Sequence, residues 1–198
     1  SPRQAPGASI GARMIGTDLA PGLLIAVPQL DDPNFARSVV LMIEHNDRGS
    51  FGLVINQPSE VTASELLDSL AMRWAGDTET VVWSGGPVAR STGWVLHEPV
   101  PALVGEGTST IGPGVALSTS PERLRALAAR PPARMRLLLG YSGWGPGQLA
   151  REMAQGSWLH ADLDPAIIFD LDADDMWRAA VETLGISPDV VVVGRGVH

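Results

Sequence analysis

The 198-residue chain has no cysteine and no lysine, and only one tyrosine and three phenylalanines. Without cysteine there are no disulfides, thiolate metal ligands or cysteine nucleophile. Without lysine there is no Schiff-base chemistry and no phosphate-binding loop ending in Lys-Ser/Thr, since all 14 basic residues are arginine. No apolar run approaches the roughly 18 residues that a membrane-spanning helix needs. Residues 1–20 lack the basic start and apolar block of a signal peptide, which leads us to expect a cytoplasmic protein. The formal net charge of -8 opposes counterion-driven attachment to nucleic acid or to an anionic membrane, so neither is an expected partner.

What is present is a chain that is 44% hydrophobic and long enough to bury a substantial core as one domain. Residues 1–16 mix Ser, Pro, Gly and Arg without period and read as a flexible arm. Residues 17–186 carry the periodic pattern, and residues 187–198 are a final strand or a tail. Short aliphatic or β-branched runs predict strands at Leu23 to Val27, Ser38 to Ile43, Phe51 to Ile55, Thr80 to Trp83, Gly93 to His97, Val115 to Ser118, Arg134 to Gly140 and Ala166 to Phe169. The stretch from Glu44 to Ser50 suits a hairpin loop. Helices are expected behind the Thr62-Ala-Ser-Glu65 capping box, from Ser120-Pro121, around Leu149 and Met153, and across Met176, Trp177, Ala180, Val181 and Leu184 up to Gly185. Strands outnumber helices and do not alternate with them, which gives an α+β fold and not a doubly wound one.

The segment Gly140-Tyr-Ser-Gly-Trp-Gly-Pro-Gly-Gln-Leu149 is the most informative stretch, because its four glycines and proline lead from a strand into a helix. Amides at such a junction are able to hold an anion, a carbonyl or a partner's backbone. It is not a nucleophile elbow, since Trp144 stands where Gly-x-Ser-x-Gly needs glycine, and it lacks dinucleotide-loop spacing. The plainer reading is that these glycines, Gly145 among them, permit positive φ in a tight turn. A second group, Asn34 to Arg37, Glu44-His45-Asn46 and Asn56-Gln57-Pro58, places polar side chains at strand ends, where binding residues gather. Its plain alternative is turn-satisfying asparagines and an Arg37–Glu44 ion pair. Ser84-Gly-Gly-Pro87 and His97 form a third group, in which a structural histidine is the better reading than a triad.

No pair of histidines has metal-ligand spacing, and the acidic stretch Asp162 to Asp175 fails the EF-hand pattern, so neither a metal nor a cofactor is expected. Those aspartates suit the N-terminus of the last helix. The cluster Arg123, Arg125, Arg130, Arg134 and Arg136 reads as a solvated face and not as a nucleic-acid surface.

Taken in order, Leu19-Ala-Pro-Gly-Leu-Leu-Ile-Ala-Val-Pro28, Asp32 to Val40, Glu44-His-Asn46, Gly52-Leu-Val-Ile-Asn-Gln-Pro58, Gly85-Gly-Pro-Val88, Gly140 to Leu149 and Trp158-Leu159 resemble the bacterial YqgE/AlgH family. The resemblance spans about residues 17 to 186. It implies a single compact α+β domain with a barrel-like mixed β-sheet and about four helices packed outside. It also implies a possible regulatory role, but no defined molecular activity. The positions that match the family's motifs are Asn34, Arg37, Glu44, His45, Asn46, Asn56, Pro58, Gly86, Pro87, Tyr141, Trp144, Gly145 and Gln148. The family commonly has alanine at the position of Ser142, which argues against a Ser142 nucleophile. The resulting expectation is a non-catalytic regulatory protein that binds a protein or small-molecule partner where the Asn34, Glu44 and Tyr141 segments converge. The alternative is a small-molecule hydrolase or lyase that uses His45 or His97 as base and the glycine-turn amides against an anion.

Overall fold

The run Gly22–Ala26, β1, is buried at every residue and lies between two other strands, which pair with it on its two edges. Alternate residues of β1 enter different cores. Leu23 and Ile25 join one cluster, and Leu24 and Ala26 join another. A strand covered on both faces needs no polar alternation, which is why it reads as a continuous apolar run. The structure is a computed structural model that describes residues 19–28 and 37–191.

After β1 come β2 (Val39–Asn46), β3 (Gly49–Val54), β4 (Pro58–Thr62), α1 (Ala63–Ser69), β5 (Val81–Ser84) and β6 (Val88–His97). A 3-10 turn (Pro101–Leu103), β7 (Thr108–Gly112), β8 (Val115–Ser118), α2 (Pro121–Ala129) and β9 (Met135–Trp144) follow. The described chain continues with α3 (Gln148–Ala154), β10 (Trp158–Ala161), α4 (Pro165–Phe169) and α5 (Ala173–Glu182). The strands form one sheet in the order β10-β1-β2-β3-β9-β6-β8-β7, curled into a half-barrel, with β4 and β5 joined to it beside β9. All pairings are antiparallel except β5 with β9, so the sheet is mixed. The result is a single compact α+β domain.

Strand β9 is the seam of the fold. β6 lies along one edge, while the other edge pairs first with β5 at Leu138 and Leu139 and then with β3 from Ser142 to Trp144. Helix α5 seats Met176, Trp177, Ala180 and Val181 against Leu23, Leu41 and Leu53 on one face of the sheet. On the other face, α1 and α2 cover Val82, Val95 and Leu137, and α3 lies near Trp144 and Trp158. The capping box at Thr62 and Glu65 is formed, as its spacing predicts, and Ser120 caps α2 with Pro121 in its first turn.

Several sequence expectations are corrected. The strand at Arg134 runs on through Trp144, so the glycine-rich stretch is half strand, and the turn is confined to Gly145-Pro146-Gly147. Glu44, His45 and Asn46 belong to β2 and not to a loop, because a two-residue Asp47-Arg48 turn closes the hairpin. The segment expected as a strand at Ala166 to Phe169 is helix α4. Asp164 accepts from the Ala166 amide at 3.0 Å, Pro165 opens the first turn, and a short buried apolar run has no period of its own. Helix α1 behind the capping box spans only Ala63–Ser69, and β4, β7 and β10 are additional strands. Five α-helices and a further helical stretch at residues 188–191 occur among the described residues, against about four expected. Residues 188–191 are helical, and the remainder of the expected C-terminal strand or tail lies outside the described residues, as do the N-terminal arm and Asn34.

Candidate functional site

Gly85, Gly86 and Gly140 bring two backbones into contact beside β9. The Gly85 amide donates to the Leu139 carbonyl at 2.8 Å, and the Gly85 carbonyl accepts from Val54 at 2.8 Å. A Cβ on Gly86 would lie 2.3 Å from the Tyr141 backbone, and one on Gly140 would lie 2.4 Å from the Gly86 carbonyl, so both positions require glycine. Ser142 is fully buried here and donates to the Gly85 carbonyl at 3.2 Å. Its hydroxyl fastens the crossing.

The register of the hairpin and β9 decides what faces what. Glu44 stands opposite Phe51, and Phe51 opposite Gly143. His45 stands opposite Ser50, and Ser50 opposite Trp144. Because side chains alternate along a strand, Glu44, Phe51 and Tyr141 share one face, and His45, Ser50 and Trp144 share the other. On the first face, the rings of Phe51, Trp94 and Tyr141 form a triangle with centroids 5.7, 5.9 and 6.1 Å apart. They line an open groove of about 770 Å³ whose rim carries Glu44, Asn46 and Arg48. Asn46 donates to Glu44 at 2.9 Å and accepts from the Arg48 amide at 2.8 Å, which holds the rim in shape. The Trp94 indole N–H is buried and has no hydrogen-bond partner among the described residues. Such a group is costly to leave unpaired and marks a place where an acceptor would be favourable.

The remaining candidates lie elsewhere. Arg37 and Glu44 sit toward opposite ends of β2, roughly 20 Å apart by strand rise, so the expected convergence fails for Arg37. Its guanidinium lies 4.8 Å from the Trp177 ring centroid, not against Glu44. Asn56 is a staple: its amide donates to the Arg37 carbonyl at 3.0 Å and its oxygen accepts from Val39 at 3.0 Å. Pro58, Gly86 and Pro87 line a separate concavity of about 380 Å³. Gln148 accepts from the Gly145 amide at 3.0 Å, so the glycine-turn amide offered for anion binding is occupied. Gln148 also donates to Glu152 at 3.0 Å, where the Trp144 and Trp158 indoles converge at 3.0 and 2.8 Å. Phe51, Trp94 and Glu152 were missed in the sequence because their importance comes from register and helix docking, which no local pattern encodes.

Among the described residues, no histidine is paired with a carboxylate. His45 Nδ1 lies 2.6 Å from the Ser50 hydroxyl, and burial holds its pKa below the ordinary value, with Asp47 opposing the shift. His97 is fully buried between the Glu98 carbonyl and the Ser118 hydroxyl. Three of the clustered arginines are engaged. Arg123 donates to the Glu106 carbonyl, Arg134 pairs with Asp170, and Arg136 donates to carbonyls at the end of α4 with its guanidinium 4.5 Å from the Trp83 ring centroid. No group of metal-binding side chains occurs among the described residues. Asp174 and Asp175 lie in the first turn of α5, as expected, but Asp172 at the cap position makes no side-chain capping bond.

Fold and groove together define a half-barrel α+β domain with a concave aromatic site. No helix among the described residues is long and apolar enough to cross a membrane. A family model described as AlgH-like matches residues 23–189. A UPF0301 protein of Anaeromyxobacter sp. (strain K) is 42% identical over 185 residues, covering 90% of this chain and 94% of that protein. A UPF0301 protein of Myxococcus xanthus is 42% identical over 183 residues, covering 91% and 99%. The solution structure of the AlgH protein from Pseudomonas aeruginosa matches with a TM-score of 0.74 and 35% identity, covering 97% of each chain. A crystal structure of a Corynebacterium diphtheriae protein shares the fold at a TM-score of 0.66 and 24% identity, covering 83% of this chain and 86% of that one. The chain belongs to the AlgH-like family of UPF0301 proteins.

Proposed function

We propose that this protein is a non-catalytic, cytoplasmic binding protein of regulatory type, and that its partner or ligand occupies the groove over Phe51, Trp94 and Tyr141. The observation that carries this reading is the buried, unpartnered Trp94 N–H among three aromatic rings, beneath a rim of Glu44, Asn46 and Arg48. An apolar floor with a few fixed polar groups is the usual composition of a binding concavity. Catalysis has weaker support: His97 is sealed in the core, and His45 faces away from Glu44.

The test is quantitative affinity capture from lysate of the source organism with wild type, Glu44→Arg and Thr92→Trp. Both substituted side chains are exposed beside the groove, one reversing the rim charge and the other adding bulk over the floor. The expected result is a partner or co-purifying ligand that wild type retains and both variants lose, with melting temperatures unchanged. Equal retention by all three proteins would refute the groove. Turnover of a small molecule that disappears in His45→Ala would establish the catalytic reading instead.

A further inference from the structure

Strand β6 carries a bulge next to the aromatic groove. Val88 pairs with Tyr141 and Gly93 with Leu139, so residues 89–92 of β6 stand opposite Gly140 alone, an excess of three residues on β6. Ala89 holds φ 46 there, a conformation that L residues adopt at a cost. The bulge places Arg90 at the edge of the second concavity, about 380 Å³, together with Gln57, Ser84, Val61, Trp83 and Leu139. Gly86 also contributes to its lining.

Three features distinguish this concavity. Its lining contains no carboxylate, although the chain as a whole carries a net charge of -8. The Arg90 guanidinium, the Ser84 hydroxyl and the Gln57 side-chain amide have no hydrogen-bond or ion-pair partner among the described residues, unlike Arg123, Arg134 and Arg136. The other side chains at the site are mostly apolar, and the volume lies at the lower end of the roughly 300–1,000 Å³ typical of small-molecule sites.

We infer that this concavity binds a small monocarboxylate with an apolar body. The Arg90 fork takes the carboxylate, with the Ser84 hydroxyl and the Gln57 amide as further donors, while Val61 and Leu139 cover the body. A single guanidinium matches one carboxylate, and its paired N–H groups fit that planar anion. The site is separate from the aromatic groove and does not depend on the function proposed there.

Titration of the full chain with acetate, isovalerate and phenylacetate, followed by amide 1H–15N shifts, tests the assignment. Saturable shifts are expected at Ser59, Ser84, Gly86 and Leu139, with phenylacetate binding more tightly than acetate and phenylacetamide producing none. Arg90 is exposed, so Arg90→Gln is expected to melt like wild type while weakening phenylacetate by about tenfold or more. Arg90→Lys keeps the charge without the fork and should fall between them. Several outcomes would overturn the inference: no saturable shift with any of the three acids, shifts located elsewhere, an Arg90→Gln affinity equal to wild type, or inorganic phosphate binding as tightly as phenylacetate.

Discussion

Glu152 shows how one carboxylate outside any motif fixes the residues that the motifs contain. Its Oε1 accepts from the indoles of Trp144 and Trp158, whose rings meet edge to face at 5.9 Å, and its Oε2 accepts from Gln148. Trp144 and Gln148 are therefore committed to docking α3 against β9 and β10, which accounts for their place in the motif without a ligand. Hydrogen bonds to a charged acceptor are worth roughly 1.5–3 kcal/mol each. Glu152→Ala, which removes all three at once, should cost on the order of 3 kcal/mol and dampen the near-ultraviolet dichroism of the tryptophan pair. Glu152→Gln retains an oxygen acceptor and should cost about 1 kcal/mol. Urea unfolding measures both, and equal losses would mean that packing, not the hydrogen bonds, holds the helix.

At the scale of the element, the turn between β9 and α3 reverses the assignment of its glycines. Gly145, expected to need positive φ, does not have it, and an added Cβ there meets nothing closer than Gln148 Oε1 at 3.9 Å. Gly147, at the cap of α3, has φ 74. Gly145→Ala should therefore change stability by no more than about 0.5 kcal/mol, while Gly147→Ala should lose about 1–2 kcal/mol to left-handed strain. Thermal melts of the two variants side by side decide this, and a larger loss at Gly145 would contradict it. The turn also shows what the sequence made legible. Glycine and proline marked that the chain turns, and the capping signals at Thr62 and Ser120 located helix starts to the residue, because both are local chemistry. The extent of β9 was hidden because Gly140 to Trp144 is held in the sheet by β3 and β6, and those contacts are long-range. The candidate site was legible by the same division. Glu44, Asn46 and Tyr141 could be named from their motifs, but Phe51 and Trp94 became visible only through register, and Arg37 was separated from Glu44 by the length of β2.

Across the whole molecule, the group that ties three strands together is His97, and it contributes to how the fold responds to acid. The Glu98 carbonyl, 2.7 Å from Nδ1, can only accept, so Nδ1 carries the proton and Nε2 accepts from the Ser118 hydroxyl at 2.8 Å. Ser118 in turn lies 2.8 Å from the Thr108 hydroxyl, which carries the chain of contacts from β6 through β8 to β7. Protonating Nε2 would remove its acceptor and place a charge in the core, and burial accordingly holds the His97 pKa below its ordinary value of 6.5. The sign of the linkage follows. In the unfolded chain His97 takes up a proton near pH 6.5, whereas in the folded chain it resists until lower pH, so between the two values the unfolded state binds more protons. Stability should be unaffected by this group above about pH 7 and should fall as the pH drops through 6.5 toward the lowered folded value. His97→Gln should lose about 1–2 kcal/mol at pH 7.5 through its imperfect hydrogen bonds, and that deficit should shrink by pH 5.5 because glutamine does not titrate. Urea unfolding of both proteins at pH 7.5, 6.5 and 5.5 measures the difference, and parallel pH profiles would place the acid sensitivity outside His97.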